Sequence, residues 1–236
     1  MASSTSPVLT PEAAKVAQQT LEELRAEFDV ATTELRVAGR VVTMHHPRNA
    51  DDLISEEDFV KDERLPYWAD IWPSARVLAD RVAVMPVNER RFLELGCGSG
   101  LVSVAAAMAG FDVTATDYYD EALRFTALNV LVNTGVLIET RSADWRRFPH
   151  DMGRFGLVVA SDVLYEREHA VLIASVLDRT LTGRATALIA DPGRLAAPEF
   201  VQQSIERGMP AAILERIQFE EGEIRQTIDL YEVRRR

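Results

Sequence analysis

The chain carries one cysteine, Cys97, among 236 residues. A single thiol excludes an internal disulfide and suits a reducing compartment, so a cytoplasmic setting is the expectation. Long apolar runs are also missing. None approaches the ~20 residues of a membrane span, so no membrane association is expected. The opening stretch, Met1-Ala-Ser-Ser-Thr-Ser-Pro7, has no basic region leading into an apolar one. It reads as a short disordered tail rather than a secretory signal. Basic residues are scarce: 26 Lys and Arg face 37 Asp and Glu, for a formal net charge of −11. Nucleic acid is therefore disfavoured as a partner, because phosphates need clustered cations. The one short basic cluster, Arg234-Arg235-Arg236, reads as a solvated end. The acidic balance either keeps the surface soluble or draws in a basic partner such as a lysine-bearing protein. Metal-ligand spacing is lacking too. His45 and His46 are adjacent and precede Pro47, while His150 and His169 stand alone, and all four read as ordinary surface residues.

What is present is a chain long enough to bury a full doubly wound sheet. Residues 1–65 read as an extension. Thr10-Pro11-Glu12 supplies a cap, a first-turn proline and an early acid, so a helix starts there. Ala14, Val16, Ala17, Leu21, Leu24 and Phe28 continue it at helical spacing. Residues 34–39 and 40–44 alternate like two strands around a glycine turn. Residues 49–62 are polar and acidic and read as a loop. Over 66–236 strands and helices take turns. A short helix is expected at 75–84, strands at 91–95, 112–116, 138–142, 157–161 and 186–190, and helices at 101–109, 121–132, 168–181 and 198–207. Apolar strands separated by helices imply parallel units covered on both faces. Two last strands, 213–219 and 224–233, are separated only by Glu220-Glu-Gly-Glu223, so they form a hairpin and one strand runs antiparallel.

Ligands in such open sheets sit beyond the carboxyl ends of the strands. At the first end stands Glu94-Leu95-Gly96-Cys97-Gly98-Ser99-Gly100. Three glycines at alternate positions strip bulk from a strand-to-helix turn, so its backbone can lie against a ligand. A dinucleotide site would place its third glycine one residue later, where Leu101 stands. At the second end, Asp117 can accept from both hydroxyls of a ribose, or cap the helix that follows, and Tyr118 would flank the nucleoside. At the third, Asp144 can accept from an adenine amino group and Trp145 can cover the base, or the two are a turn and a core residue. At the fourth, Ala160-Ser161-Asp162-Val163-Leu164-Tyr165 faces the approach of a second substrate: Asp162 could hold an amine and Tyr165 pack against it, or the segment is merely a strand end. Upstream, Pro66-Tyr67-Trp68-Ala69-Asp70-Ile71-Trp72-Pro73 is a stiff aromatic segment, either a packing wedge or a wall of the pocket.

The glycine loop resembles that of class I methyltransferases, which bind S-adenosylmethionine. Five parallel strands closed by a terminal hairpin resemble their Rossmann-like, seven-stranded α/β fold with helices on both faces. Asp162-Val-Leu-Tyr165 is similar to the Asp-x-x-Tyr/Phe signature of the family 16 seven-β-strand methyltransferases, mostly protein-lysine methyltransferases. Trp72-Pro73, Asp144-Trp145, the glycine loop and Asp191-Pro192-Gly193-Arg194 resemble that family as well. The resemblance implies cofactor contacts from Trp72, Glu94, Gly96, Gly98, Asp117 and Asp144, with Cys97, Gly100, Tyr118, Trp145 and Ser161 around them. It implies an acceptor amine facing Asp162 and Tyr165. Methyl transfer from a sulfonium needs oriented reactants and an uncharged nucleophile rather than a metal. The expected activity is methylation of a protein lysine. Methylation of a small amine or heterocycle, or a non-catalytic interaction role on the same fold, are the alternatives.

Overall fold

Capping chemistry at Thr10 starts the first helix as its sequence requires. The Thr10 hydroxyl accepts from the Ala13 amide at 3.2 Å, and Pro11 takes the first helical position. In the computed structural model, which describes residues 9–53 and 66–235, this helix, α1, spans Pro11–Glu27. The tail expected at 1–7 and the loop over 54–62 lie outside the described residues; Ala50–Leu53, within that loop, forms one 3-10 turn.

Strands β1 (Val30–Val37) and β2 (Arg40–Pro47) follow, joined at Ala38-Gly39 with positive φ at both residues, the conformation that lets a two-residue turn match strand twist. The hairpin is longer than residues 34–44. Its extra pairs, such as Thr32 with His45 and Thr33 with Met44, are polar or mixed and do not alternate. Thr32 and Thr33 hydroxyls meet the His45 and His46 rings at 2.9 Å each.

Helix α2 (Pro73–Ala83) leads into the main sheet. Its strands are β3 (Arg91–Leu95), β4 (Asp112–Asp117), β5 (Glu139–Ser142), β6 (Phe155–Ser161), β7 (Leu181–Asp191), β8 (Ala211–Glu221) and β9 (Ile224–Arg234). The spatial order is β5-β4-β3-β6-β7-β9-β8. The first five run parallel and β9 runs antiparallel to both neighbours. Between strands lie α3 (Leu101–Ala109), α4 (Asp120–Thr134), α5 (Arg167–Thr180) and α6 (Ala197–Glu206). Strand residues alternate between two apolar layers. Leu93, Leu95, Val158, Ala160 and Ile189 pack with Ile173, Leu177 and Phe200 of α5 and α6. Phe92, Val113, Ala115, Val159 and Leu188 pack with Leu78, Val82, Val104 and Ala105 of α2 and α3. Burial on both faces is why these strands read as continuous apolar runs.

The start of β7 departs furthest from the sequence expectation. Helix α5 stops at Thr180 and β7 begins at once, five residues before 186. Buried Leu181 pairs with Phe155, and the ladder then shifts register to Leu157 with Thr186. Polar Thr182-Gly183-Arg184 forms this irregularity and hides the strand start from any periodicity. Among the described residues no helix is long and apolar enough to cross a membrane.

The N-terminal elements dock on α4. Leu24 and Ala17 of α1 pack with Phe125, Leu128 and Leu131 of α4. Strand β2 presents its unpaired edge to two asparagines one turn apart on α4. Asn129 accepts from the His45 amide at 2.7 Å and donates to its carbonyl at 2.8 Å. Asn133 repeats the pattern on Thr43, at 2.8 and 2.7 Å. The two side-chain amides thus act as a neighbouring strand. Asn129 also donates to the Ser99 carbonyl, so one side chain joins hairpin, helix and glycine loop. Asn129→Leu keeps the branching and heavy-atom count but orphans buried backbone groups, and is expected to cost about 2–4 kcal/mol in stability; urea unfolding should show a lower midpoint with an unchanged slope.

Candidate active site

The chain starts the sheet at β3, adds β4 and β5 on one side, and returns to add β6 and β7 on the other. This reversal opens a crevice beyond the carboxyl ends of β3 and β6. A cavity of about 480 Å³ lies there, within the range of small-molecule sites.

The floor is the glycine loop. Gly98 has φ +53°, and a Cβ there would sit 3.0 Å from the Trp68 carbonyl oxygen. Only a bare backbone passes between Trp68 and the cavity. The Gly98 amide donates to Asp117 Oδ2 at 2.9 Å, while the Thr126 hydroxyl donates to its carbonyl, also at 2.9 Å. Asp117, at the end of β4, is buried, and its Oδ1 accepts from the Tyr119 amide at 3.1 Å. Burial pushes the Asp117 carboxyl up to about 6, against the opposing pull of the Gly98 and Tyr119 amides.

Asp144 caps the short 3-10 turn Trp145–Arg147, Oδ1 accepting from the Arg146 amide at 2.9 Å. The aromatic rings form a chain along the wall. Trp72 meets Tyr67 at 6.1 Å, Tyr67 meets Tyr165 at 5.5 Å, Tyr165 meets His169 at 4.6 Å and His169 meets Trp145 at 5.0 Å, all edge to face. The Trp72 indole also donates to the Tyr67 carbonyl at 2.8 Å, which orients it. Burial pushes the Tyr165 phenol up, so it is neutral in the physiological range.

At the end of β6, Asp162 adopts φ +56°, unusual for a side chain other than glycine. Its amide donates to the Ala190 carbonyl at 2.9 Å and its Oδ1 accepts from Arg194 Nε at 2.8 Å.

Of the residues singled out from the sequence, Trp72, Gly96, Cys97, Gly98, Asp117, Tyr118, Asp144, Trp145, Ser161, Asp162 and Tyr165 all line this one cavity. Glu94 and Gly100 do not. Glu94 shares the β3 face of Phe92, so its carboxyl turns away under α3, where the Ser103 hydroxyl donates to it. Gly100 caps α3 with φ +87°, and a Cβ there would lie 2.6 Å from Thr126 Oγ1. Its bareness lets α4 approach the loop.

Tyr67, from the aromatic segment read as a wedge or a pocket wall, lines the cavity, and so do His169 and Arg194, which the sequence reading did not assign to the site. His169 and His45 are not surface residues but buried ones. His169 Nδ1 lies 2.8 Å from the Val163 carbonyl, and burial lowers its pKa. Glu166, Glu168 and His169 place ligand atoms within 4.8 Å of one another, but the Arg146 guanidinium already pairs with both glutamates and offsets part of their charge.

The sequence profile described as lysine methyltransferase matches residues 56–206. The chain is similar to the electron transfer flavoprotein beta subunit lysine methyltransferase of Xenopus laevis, with 33% identity over 133 residues, 55% of this chain and 53% of the relative. It is similar to the protein-lysine methyltransferase METTL21E of Bos taurus, with 33% identity over 112 residues, 42% of this chain and 38% of the relative. The chain thus spans about half the length, or less, of these relatives. Its fold is that of the solved magnesium protoporphyrin IX methyltransferase of Synechocystis PCC 6803 with bound SAM, at TM-score 0.54 and 17% identity over 70% of this chain and 80% of that one.

Burial raises the Glu94 carboxyl from 4.5 to about 8, so the folded protein holds a proton there that the unfolded chain releases. Stability tied to that proton is full below about 4.5 and is lost as pH rises toward 8. Glu94→Gln should flatten this loss: thermal melts of the cofactor-free protein at pH 6 and pH 9 should differ less in the variant than in the parent.

Proposed function

We infer from membership of the lysine methyltransferase family, to which this chain belongs, that it transfers a methyl group from S-adenosylmethionine to the side-chain amine of a lysine in a protein. The observation that carries this reading is one cavity with two chemically different walls. Bare glycine backbone and the Asp117 and Asp144 carboxylates line one side, and Asp162 with Tyr165 lines the other. S-adenosylmethionine fits the first wall: the Gly98 position has no room for a side chain on its far side, and Asp117 is a buried acceptor with lone pairs to spare.

When bound, that cofactor supplies a methyl group already activated by its sulfonium, so that an amine nitrogen gains the carbon as the sulfur–carbon bond breaks. The residues do the rest. Asp117 would accept from the ribose hydroxyls and Asp144 from the adenine amino group. Gly96, Cys97 and Gly98 would form the floor, with Tyr118, Trp145 and Trp72 bounding the flat and apolar parts. Ser161 would close the floor at β6. Asp162 would orient the incoming nitrogen, and the Tyr165 ring would flank its alkyl stem. Orientation of this kind is where an enzyme using an activated donor gains its rate. Five carboxylates against two guanidiniums on the cavity wall, with a net charge of −11 overall, favour a cationic partner. A cytoplasmic setting, suited to the one buried thiol, belongs to the same reading.

Asp117→Ala should weaken S-adenosylmethionine binding by about 1–3 kcal/mol in titration calorimetry. With the carboxyl near 6, a proton replaces the charge as pH falls; affinity of the parent should therefore drop below pH 6, and that drop should be absent in Asp117→Asn. Unchanged affinity in both variants would place the ribose elsewhere.

Incubation with a labelled methyl donor and extract from cells lacking the protein should yield a discrete labelled protein band whose label resides on lysine. Asp162→Ala should reduce that labelling by tenfold or more while leaving cofactor affinity nearly intact. Label confined to small molecules would sink the protein-substrate reading.

A further inference from the structure

Arg194 is a cavity residue with no task in the chemistry above. Asp191 Oδ1 fixes the turn after β7 by accepting from the Gly193 amide at 2.8 Å and the Arg194 amide at 2.7 Å. The turn sends the Arg194 guanidinium to within 5.9 Å of the Trp72 ring centroid, while its Nε donates to Asp162 Oδ1. The Asp162 side chain is 4% exposed and that of Arg194 37%. The other oxygen, Asp162 Oδ2, is buried without a hydrogen-bond partner. The pair is therefore a carboxylate whose charge is cancelled on one side and whose second oxygen is an unsatisfied acceptor.

Resting on the reading of Asp162 as the acceptor-side residue, we propose that Arg194 is a positioning residue that makes this subsite select the free-base amine over the ammonium. A lone buried carboxylate stabilises a neighbouring ammonium and raises its pKa. That is the wrong direction for a nucleophile, because a protonated amine has no lone pair to donate. A paired carboxylate exerts little net pull on a cation. Its unsatisfied oxygen still recovers free energy by accepting one N–H from a neutral amine, which leaves the nitrogen lone pair for the methyl carbon. The amine gives its proton to bulk water before it enters. After transfer, the methylated nitrogen is cationic and sheds its second proton to solvent or leaves as the ammonium.

Asp70, Asp117, Asp144, Arg146, Glu166 and His169 also face the cavity, and Asp191 lies behind the pair. They are unchanged by substitution at Arg194, so a ratio compared between variants isolates its charge. Two probes separate charge from fit: n-butylamine, an ammonium at pH 7, and 2,2,2-trifluoroethylamine, a free base at pH 7. Each is titrated into protein saturated with S-adenosylhomocysteine and followed by tryptophan fluorescence. The affinity ratio of free base to ammonium should fall about tenfold in Arg194→Gln, the weight of one nearby charge, and should stay near the parent value in Arg194→Lys. An unchanged ratio in Arg194→Gln, or equal weakening of both probes, overturns the proposal and leaves the acceptor-side reading standing. Failure of the parent protein to bind either probe overturns that reading and this inference with it.

Discussion

The amide of Asn129 ties together three parts of the molecule that no apolar contact alone would align. It satisfies both backbone groups of His45 on the free edge of β2 and the carbonyl of Ser99 in the glycine loop. Its neighbour one turn back, Thr126, takes the Gly98 carbonyl, and its neighbour one turn on, Asn133, takes Thr43. Helix α4 thus carries a polar ladder inside an otherwise apolar layer. Buried polar groups cost free energy unless paired, so this ladder admits one register of the hairpin and one height of the loop. The position of Gly98 relative to Asp117 follows from it.

Asp117 and Asp162 line the cavity and Glu94 lies outside it, each in unlike surroundings. Glu94 is sealed beneath α3, and that burial favours its protonated form against the opposing pull of Ser103. Asp117 is as buried, but two backbone amides point at it, so it stays closer to the ordinary range. Asp162 has a guanidinium. Desolvation raises both Glu94 and Asp117, and the backbone amides aimed at Asp117 keep its rise smaller.

Much of the fold was legible because local and global preferences agree. Apolar strands of four to seven residues, a glycine after each of several helices, and Thr10-Pro11 at a helix start all point the same way. The hairpin ends and the start of β7 were not legible. Thr32, Thr33 and His45 earn their strand positions through side-chain bonds and the Asn129 amide, neither of which has a period. Residues 182–184 are polar and irregular, so they conceal a strand that Leu181 has already begun. Glu94 was read toward the cavity, but alternation along β3 turns it to the α3 face, outside the cavity lining, because a one-residue difference in position reverses the face of a strand side chain.

By itself the sequence determined that the glycines at 96 and 98, Asp117, Asp144 and Asp162 stand at strand ends, and a parallel sheet delivers all such ends to one rim. Tertiary structure alone decided who their partners are. Arg194 lies 32 residues beyond Asp162, His169 meets the Trp145 ring from another strand end, and Asn129 joins segments 84 and 30 residues away. Contacts of that kind come from chain crossings and helix docking, and no short-range pattern of residue types encodes them.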